Sequence, residues 1–279
     1  MVARLKLTLN RLVLKQEDEY KMTAISQDLC PKLSSRKVYV VTGAASGIGA
    51  AVAERLIAAN ELVVGVDISW VEDKGHQNQD SGQGFIQMNC DVSDWSQVSQ
   101  LAKHVDSTIG PVSGLVNCAG IGLWFSPIAE TSVENWERVI AVNLRGPFLL
   151  AKAFLPSLIS NQGVIVMISS VHGVATSPGC GAYASSKAGL FGLTKALAVD
   201  YGEKGVRTNC LLVGSVDTQM TQGYESEAKI RGVADLEIPE WQRTNSSGIA
   251  SIVEFMLSES AGFINGSLFT VDGGLLSRL

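Results

Sequence analysis

Charged side chains are few in this chain of 279 residues, at 18% against 46% apolar. That is too little charge, and too much core-forming material, for an intrinsically disordered chain. A basic surplus is also missing: 22 Lys and Arg stand against 27 Asp and Glu, a formal net charge of −5. No overall pull toward nucleic acid or an anionic membrane surface is therefore expected. No apolar run approaches the roughly eighteen residues needed to cross a bilayer, so no membrane span is expected. The five cysteines, Cys30, Cys90, Cys118, Cys180 and Cys210, are scattered and nowhere spaced CxxC. An odd, scattered set argues against a disulfide framework or a structural zinc site and fits a reducing, cytoplasmic setting. His76, His104 and His172 have no metal-binding spacing, and no metal is expected.

Glycine is plentiful, at 28 residues, and from Arg36 onward strand and helix patterns alternate. Residues 1–35 read as an N-terminal extension: Arg4, Lys6, Arg11 and Lys15 are set among leucines, followed by Glu17, Asp18 and Glu19. Neither a continuous apolar stretch nor a small-residue cleavage site marks a secretory signal there. Beyond it, strands are predicted at 37–42, 62–67, 85–88, 115–117, 164–168, 206–212 and 268–271. Helices are predicted after the first strand to about Asn60, from an N-cap at Ser93, over 133–160 in two parts around Gly146-Pro147, over 182–201 and over 247–257. Strands separated by helix-length segments need crossover connections, hence one doubly wound α/β domain over 36–279 with a seven-stranded parallel sheet covered on both faces. Ligands in such sheets bind beyond the carboxyl ends of the strands.

The first strand ends in Thr42-Gly43-Ala44-Ala45-Ser46-Gly47-Ile48-Gly49, which opens directly into a helix. Gly43 permits a tight turn, and Gly47 and Gly49 let backbone and helix come close to a ligand. The N–H groups at the helix start, around Ser46, Gly47 and Ile48, then face a pyrophosphate with the helix dipole behind them. Asp67 ends the second strand, 18 residues beyond Gly49. A carboxylate there accepts from the adenosine ribose hydroxyls and repels a 2′-phosphate. No Lys or Arg lies in the turn and Ile68 follows the aspartate, so NAD is expected in preference to NADP.

Tyr183 and Lys187 are four residues apart at the start of a predicted helix and share one face. Ser170 ends the fifth strand, 13 residues before Tyr183, where the carboxyl edge of the sheet opens. A phenol titrates near ~10. A neighbouring ammonium lowers that by about 1–3 units while burial works against it, and the ammonium is expected to win if Tyr183 is to carry protons near neutral pH. Ser170 is placed to hydrogen-bond a substrate oxygen as charge develops on it.

These residues, with Asn117-Cys118-Ala119-Gly120, Asn143, Tyr183-Ala184-Ser185-Ser186-Lys187 and the closing Val271-Asp272-Gly273-Gly274, resemble the short-chain dehydrogenase/reductase family, in its single-domain branch of roughly 250 residues with a Rossmann-like fold. The likeness covers residues 36–279. It implies an oxidoreductase acting on CH–OH groups, with Ser170, Tyr183 and Lys187 catalytic and Asn143 holding a water that links Lys187 to solvent. It further implies cofactor contacts at Asp91 and Val92 beside the adenine, and at Asn117, Ala119 and Gly120. Gly214, Val216 and Thr218 are implied after the sixth strand, with Thr218 holding the nicotinamide carboxamide. Two positions depart from the family pattern: Cys118 where a second Asn is usual, and Val213-Gly214 where Pro-Gly is usual.

Residues 219–245 occupy the place of the family's variable substrate lid. Gln219, Met220, Tyr224 and Trp241, with Trp124, Phe125 and His172, are candidates to face a moderately apolar or ring-shaped alcohol or ketone. Aromatic residues near loops also pack simply against their own domain. A non-catalytic NAD(H)-binding sensor or scaffold is the alternative reading; it explains the glycine turn and Asp67 but leaves the Ser/Tyr/Lys/Asn set idle. Leu190, Phe191, Leu193 and Leu197 exceed one narrow apolar stripe, which with the family's habit implies a homotetramer, or at least a dimer, the alternative being a deeply buried helix.

Overall fold

In the computed structural model, residues 36–70, 84–232 and 238–277 are described. The expectation for residues 1–35 lies outside them. Strand β1, Val38–Thr42, is a β-branched run buried at every position, as a strand in the middle of a parallel sheet must be. It pairs in parallel with β2, Leu62–Asp67, on one side and with β4, Val112–Asn117, on the other. With β3 (Phe85–Asn89), β5 (Val164–Ser170), β6 (Arg207–Val213) and β9 (Leu268–Val271), the sheet order is β3-β2-β1-β4-β5-β6-β9, and every pairing is parallel. The chain winds outward from β1 in one direction and from β4 in the other. The crevice between their carboxyl ends is the switch point where such folds bind ligands.

Alternation along the strands divides the core in two. Val40, Val64, Leu115 and Ile165 face one layer, where they meet Leu101 of α2 (Trp95–His104), Phe154 and Leu158 of α4 (Gly146–Ser160) and Leu190 of α5 (Gly181–Tyr201). Val41, Val63, Val116 and Val166 face the other, against Val52 and Leu56 of α1 (Gly47–Ala58) and Ile249, Val253 and Met256 of α7 (Ser246–Leu257). Phe154 is fully buried, and its truncation to alanine would cost about 3–5 kcal/mol.

Three local details differ from the sequence reading. The N-cap of α2 is Asp94, whose carboxylate accepts from Ser96 N at 2.7 Å and Gln97 N at 3.3 Å. Ser93 is diverted because its hydroxyl donates to the Asp91 carboxylate at 2.7 Å. The long helical stretch breaks earlier than Gly146-Pro147: α3, Val133–Ile140, passes through one wide π turn at Ala141–Arg145 before α4 begins. Pro147 has no N–H to give to the carbonyl of Asn143 four residues back, so the ordinary helical bond there is lost and the turn widens. Finally, the described residues from 215 to 232 and from 238 to 245 form their own structure. A short parallel pair, β7 (Ser215–Asp217) and β8 (Arg243–Asn245), frames α6, Gln219–Arg231, which Thr218 caps through its side chain. Arg243 of β8 binds Glu225 of α6 at 2.7 Å and reaches Asp217 of β7 at 3.7 Å.

Candidate active site

The glycine turn packs closely against the end of β4. A Cβ at Gly43 would lie 2.9 Å from Ala119 N, and one at Gly49 would lie 2.1 Å from Gly43 O. Gly43 also holds φ at +66°, which glycine adopts without strain. Thr42 Oγ1 accepts from Cys118 N at 3.2 Å and from Ala119 N at 3.1 Å, tying the two strand ends together. The α1 N-cap, Ser46, makes no side-chain cap bond, and the first turn of α1 carries no acid, so nothing of its own competes for those N–H groups. At the end of β2, Asp67 accepts from Ala45 N at 3.1 Å and Ser69 N at 2.9 Å. Its carboxylate is thereby fixed beside the turn.

These elements open onto one cavity of about 590 Å³. Of the cofactor contacts assigned above, Gly43, Ser46, Gly47, Ile48, Gly49, Asp67, Asp91, Val92, Ala119, Gly120, Tyr183, Lys187, Gly214, Val216 and Thr218 line it. Asn117 does not. It is buried, with Nδ2 donating to Met167 Sδ on the neighbouring strand at 3.3 Å. A turn too tight for any Cβ, an uncapped helix start and a fixed carboxylate together suit a dinucleotide, with pyrophosphate at residues 46–48 and ribose at Asp67. The cavity also takes in Arg138 and Val142, which sequence reasoning passed over. They are four residues apart and so share a helical face with each other, but neither stands at a same-face spacing from Asn143, so the sequence carried no signal for them.

At the far end of the same cavity stand Ser170, Tyr183 and Lys187, each less than a tenth exposed. Ser170 is the last residue of β5 and accepts from His172 N at 3.2 Å, which leaves its hydroxyl hydrogen to donate. Lys187 Nζ lies 5.6 Å from the Tyr183 ring centroid and donates to Ile168 O at 2.9 Å. Burial pushes the lysine down to about 8, with the neighbouring Cys210 and Cys118 side chains working weakly against the fall. Asn143, 1% exposed, holds both peptide groups of Ile121 and also donates to Ser186 Oγ at 3.1 Å. A Cβ on Gly120 would sit 3.4 Å from Asn143 Oδ1 and 3.5 Å from Lys187 Nζ, so this glycine lies between the two.

One expectation is corrected. The phenol of Tyr183 is not lowered; burial pushes it up to about 12, with the Ser170 hydroxyl hydrogen bond working against the rise and Cys180 adding to it. The lysine ammonium is spent on a backbone carbonyl and is itself desolvated, so burial outweighs it. The phenol is therefore protonated at neutral pH.

The substrate candidates separate. Met220 lines the cavity. Trp124, His172 and Tyr224 do not, and form a ring cluster around Tyr183: Trp124 is 4.7 Å and His172 5.9 Å from its ring, and Tyr224 is 5.4 Å from Trp124. His172 Nδ1 meets Thr176 Oγ1 at 3.0 Å, and burial lowers its pKa, so the imidazole is neutral near pH 7. Trp241 is 68% exposed and off the cavity lining.

Residues 43–276 match the family described as enoyl-(acyl carrier protein) reductase. The chain is 34% identical over 243 residues to 2-(R)-hydroxypropyl-CoM dehydrogenase of Xanthobacter autotrophicus, covering 85% of this chain and 97% of that one. It is also 34% identical to meso-2,3-butanediol dehydrogenase of Serratia marcescens, covering 85% and 94%. Among solved structures, 4-hydroxyisoleucine dehydrogenase complexed with NADH superposes with a TM-score of 0.76 at 29% identity, covering 88% of this chain and all of that one. By its motifs, its sheet order and these likenesses, the chain belongs to the short-chain dehydrogenase/reductase family.

Proposed function

We propose that residues 36–279 form one catalytic domain, an NAD-dependent oxidoreductase interconverting a secondary alcohol and a ketone. One observation carries this reading: Ser170, Tyr183 and Lys187 converge on the wall of the same cavity that begins at the glycine turn and Asp67. The nicotinamide, when bound, supplies or accepts the hydride. The chain's own residues do the rest. Ser170 and Tyr183 hydrogen-bond the reacting oxygen, Tyr183 passes it a proton or takes one, and Lys187 orients the ribose and steadies the phenolate as it forms. Asn143 connects Lys187 to a water.

The relatives support the chemical class, since those compared act, by name, on hydroxyl-bearing carbon. The NADH complex of a structural neighbour and the fixed Asp67 carboxylate support NAD. Following NADH absorbance over a panel of secondary alcohols and ketones, with NAD and NADP in parallel, tests the reading. Turnover with NAD supports it; NAD(H) binding without turnover on any alcohol would favour the sensor alternative.

We propose further that the protein is a cytoplasmic homotetramer that engages neither nucleic acid nor membrane. On helix α5, Leu190 and Leu197 are buried in the chain's own core and Phe191 and Leu193 pack against it, so none of the four carries the assembly. The apolar side chains left for a partner are others, among them Val199, 79% exposed, and Phe148, Phe255 and Phe269. By length and composition the 133–160 helical stretch could cross a membrane, but half of its most apolar window is buried inside the fold. Light-scattering mass at micromolar concentration tests the assembly.

A further inference from the structure

The ring of Tyr183 has a close companion. The Trp124 indole lies against it, with centroids 4.7 Å apart and planes tilted by 59°, and Tyr224 closes edge-on against the indole. The indole has a built seat. A Cβ on Gly122 would fall 2.1 Å from Trp124 Cζ2, so the absence of a side chain at 122 is what lets the indole fold over its own backbone. The next residue, Phe125, holds φ at 54°, a left-handed conformation that bulky residues seldom adopt. That bend is fixed from both sides. Ser126 N donates to Gly179 O at 3.0 Å, a Cβ on Gly179 would lie 2.6 Å from Phe125 Cα, and Asn143 clasps Ile121 upstream. A strained turn pinned at each end beside a reacting group is the kind of feature that function maintains.

We propose that Trp124 is a specificity-determining residue of the reaction proposed above, and that the substrates are methyl carbinols and methyl ketones. The inference rests on Tyr183 being the proton carrier. A carbonyl held by Tyr183 and Ser170 has two substituents, and the indole, packed on the phenol ring just behind the cavity lining, crowds one side of that ring. The smaller, methyl substituent is therefore assigned to that side and the larger one to the part of the cavity that Met220 lines.

The test uses the full chain with NADH and the isomeric ketones 2-heptanone and 4-heptanone, which differ in the size of the smaller substituent. Two unreactive isomeric amides, hexanamide and N-ethylbutanamide, mimic their shapes, and their binding to the NADH complex is read by calorimetry. Wild type is expected to favour 2-heptanone and hexanamide. Trp124→Ala is expected to shift both ratios toward the bulkier isomer by about tenfold or more, the scale on which pocket size discriminates. Gly122→Ala, which keeps the indole but removes its seat, is expected to move both ratios the same way. Trp124→Phe keeps a ring in place should alanine unfold the loop, and is expected to shift them partway. Unshifted ratios in these variants, or a wild type that prefers 4-heptanone, would overturn the role of Trp124 and leave that of Tyr183 standing. A wild type that binds NADH and reduces no ketone would overturn the reading of the site itself, and this inference with it.

Discussion

Asn143 and Ile121 exchange two hydrogen bonds: Asn143 Oδ1 accepts from Ile121 N at 2.8 Å, and Nδ2 donates to Ile121 O at 2.9 Å. The carboxamide thus stands in for a strand partner along the loop that follows β4. The same Nδ2 reaches Ser186 Oγ, which donates to Tyr183 O at 2.7 Å. One side chain on a widened helical turn therefore joins the Gly120–Ile121 loop to the helix that carries Tyr183 and Lys187.

Replacing Asn143 with alanine leaves the Ile121 N–H and C=O without their partner in a part-buried setting. Each such loss costs about 1–3 kcal/mol when the group is fully buried, and because these are only part-buried a combined destabilisation of about 2–4 kcal/mol, toward the low end of the sum, is expected together with a marked fall in turnover. Urea denaturation of the two proteins checks this. A loss of stability below about 1 kcal/mol would contradict the role.

Much of this was legible in the sequence, because the sheet is buried on both faces and its strands read as unbroken apolar runs such as residues 164–168. The glycine turn, Ser170, Tyr183 and Lys187 were legible because chemistry needs those residue types at those spacings. What was not legible depends on contacts distant in sequence. Asn117 turns its side chain to Met167, fifty residues away on the neighbouring strand, rather than to the cavity. The pKa of Tyr183 could not be read from its spacing to Lys187, since burial and the carbonyl of Ile168 decide where the ammonium's charge is spent. Residues 219–245 were anticipated only as a region, and their frame rests on Arg243 meeting Glu225 and Asp217.

Asp67 fixes the choice of dinucleotide in the proposed reading. Wild type is expected to use NAD at least about a hundredfold better than NADP by kcat/KM, and Asp67→Ala to narrow that gap chiefly by weakening NAD and relieving repulsion of a 2′-phosphate. Steady-state kinetics with both cofactors measures it. Equal use of NADP by the unaltered protein would contradict the role of the carboxylate.

The two shifted groups set opposite pH trends. Tyr183, raised to about 12, is protonated at neutral pH and ready to donate to a ketone oxygen, whereas alcohol oxidation needs the phenolate. Below the phenol pKa, the phenolate fraction grows about tenfold per pH unit. Lys187, lowered to about 8, gives up its steadying charge above that point. Oxidation measured as kcat/KM is therefore expected to climb from pH 6 to 8 and then flatten, while ketone reduction does not climb. A flat oxidation profile over pH 6–8 would contradict these assignments.

The same shifts bear on stability. Between about 8 and 10.5 the native Lys187 has released a proton that the unfolded chain still holds, so this group makes folding stability rise with pH over that window. Between 10 and about 12 the native Tyr183 keeps a proton that the unfolded chain loses, and stability falls. Comparing urea midpoints of wild type and Lys187→Met at pH 8 and 10 isolates the first effect, and the rise is expected to be smaller in the variant. An equal rise in both would place the titration elsewhere.

The most direct measurement is turnover and NADH affinity of Tyr183→Phe, which removes one oxygen from a ring held on all sides. Turnover is expected to fall by about a hundredfold to ten-thousandfold, the usual worth of a positioned proton donor, with NADH affinity within about threefold of wild type. Undiminished turnover, or a fall that merely follows lost NADH binding, would contradict proton transfer by this residue.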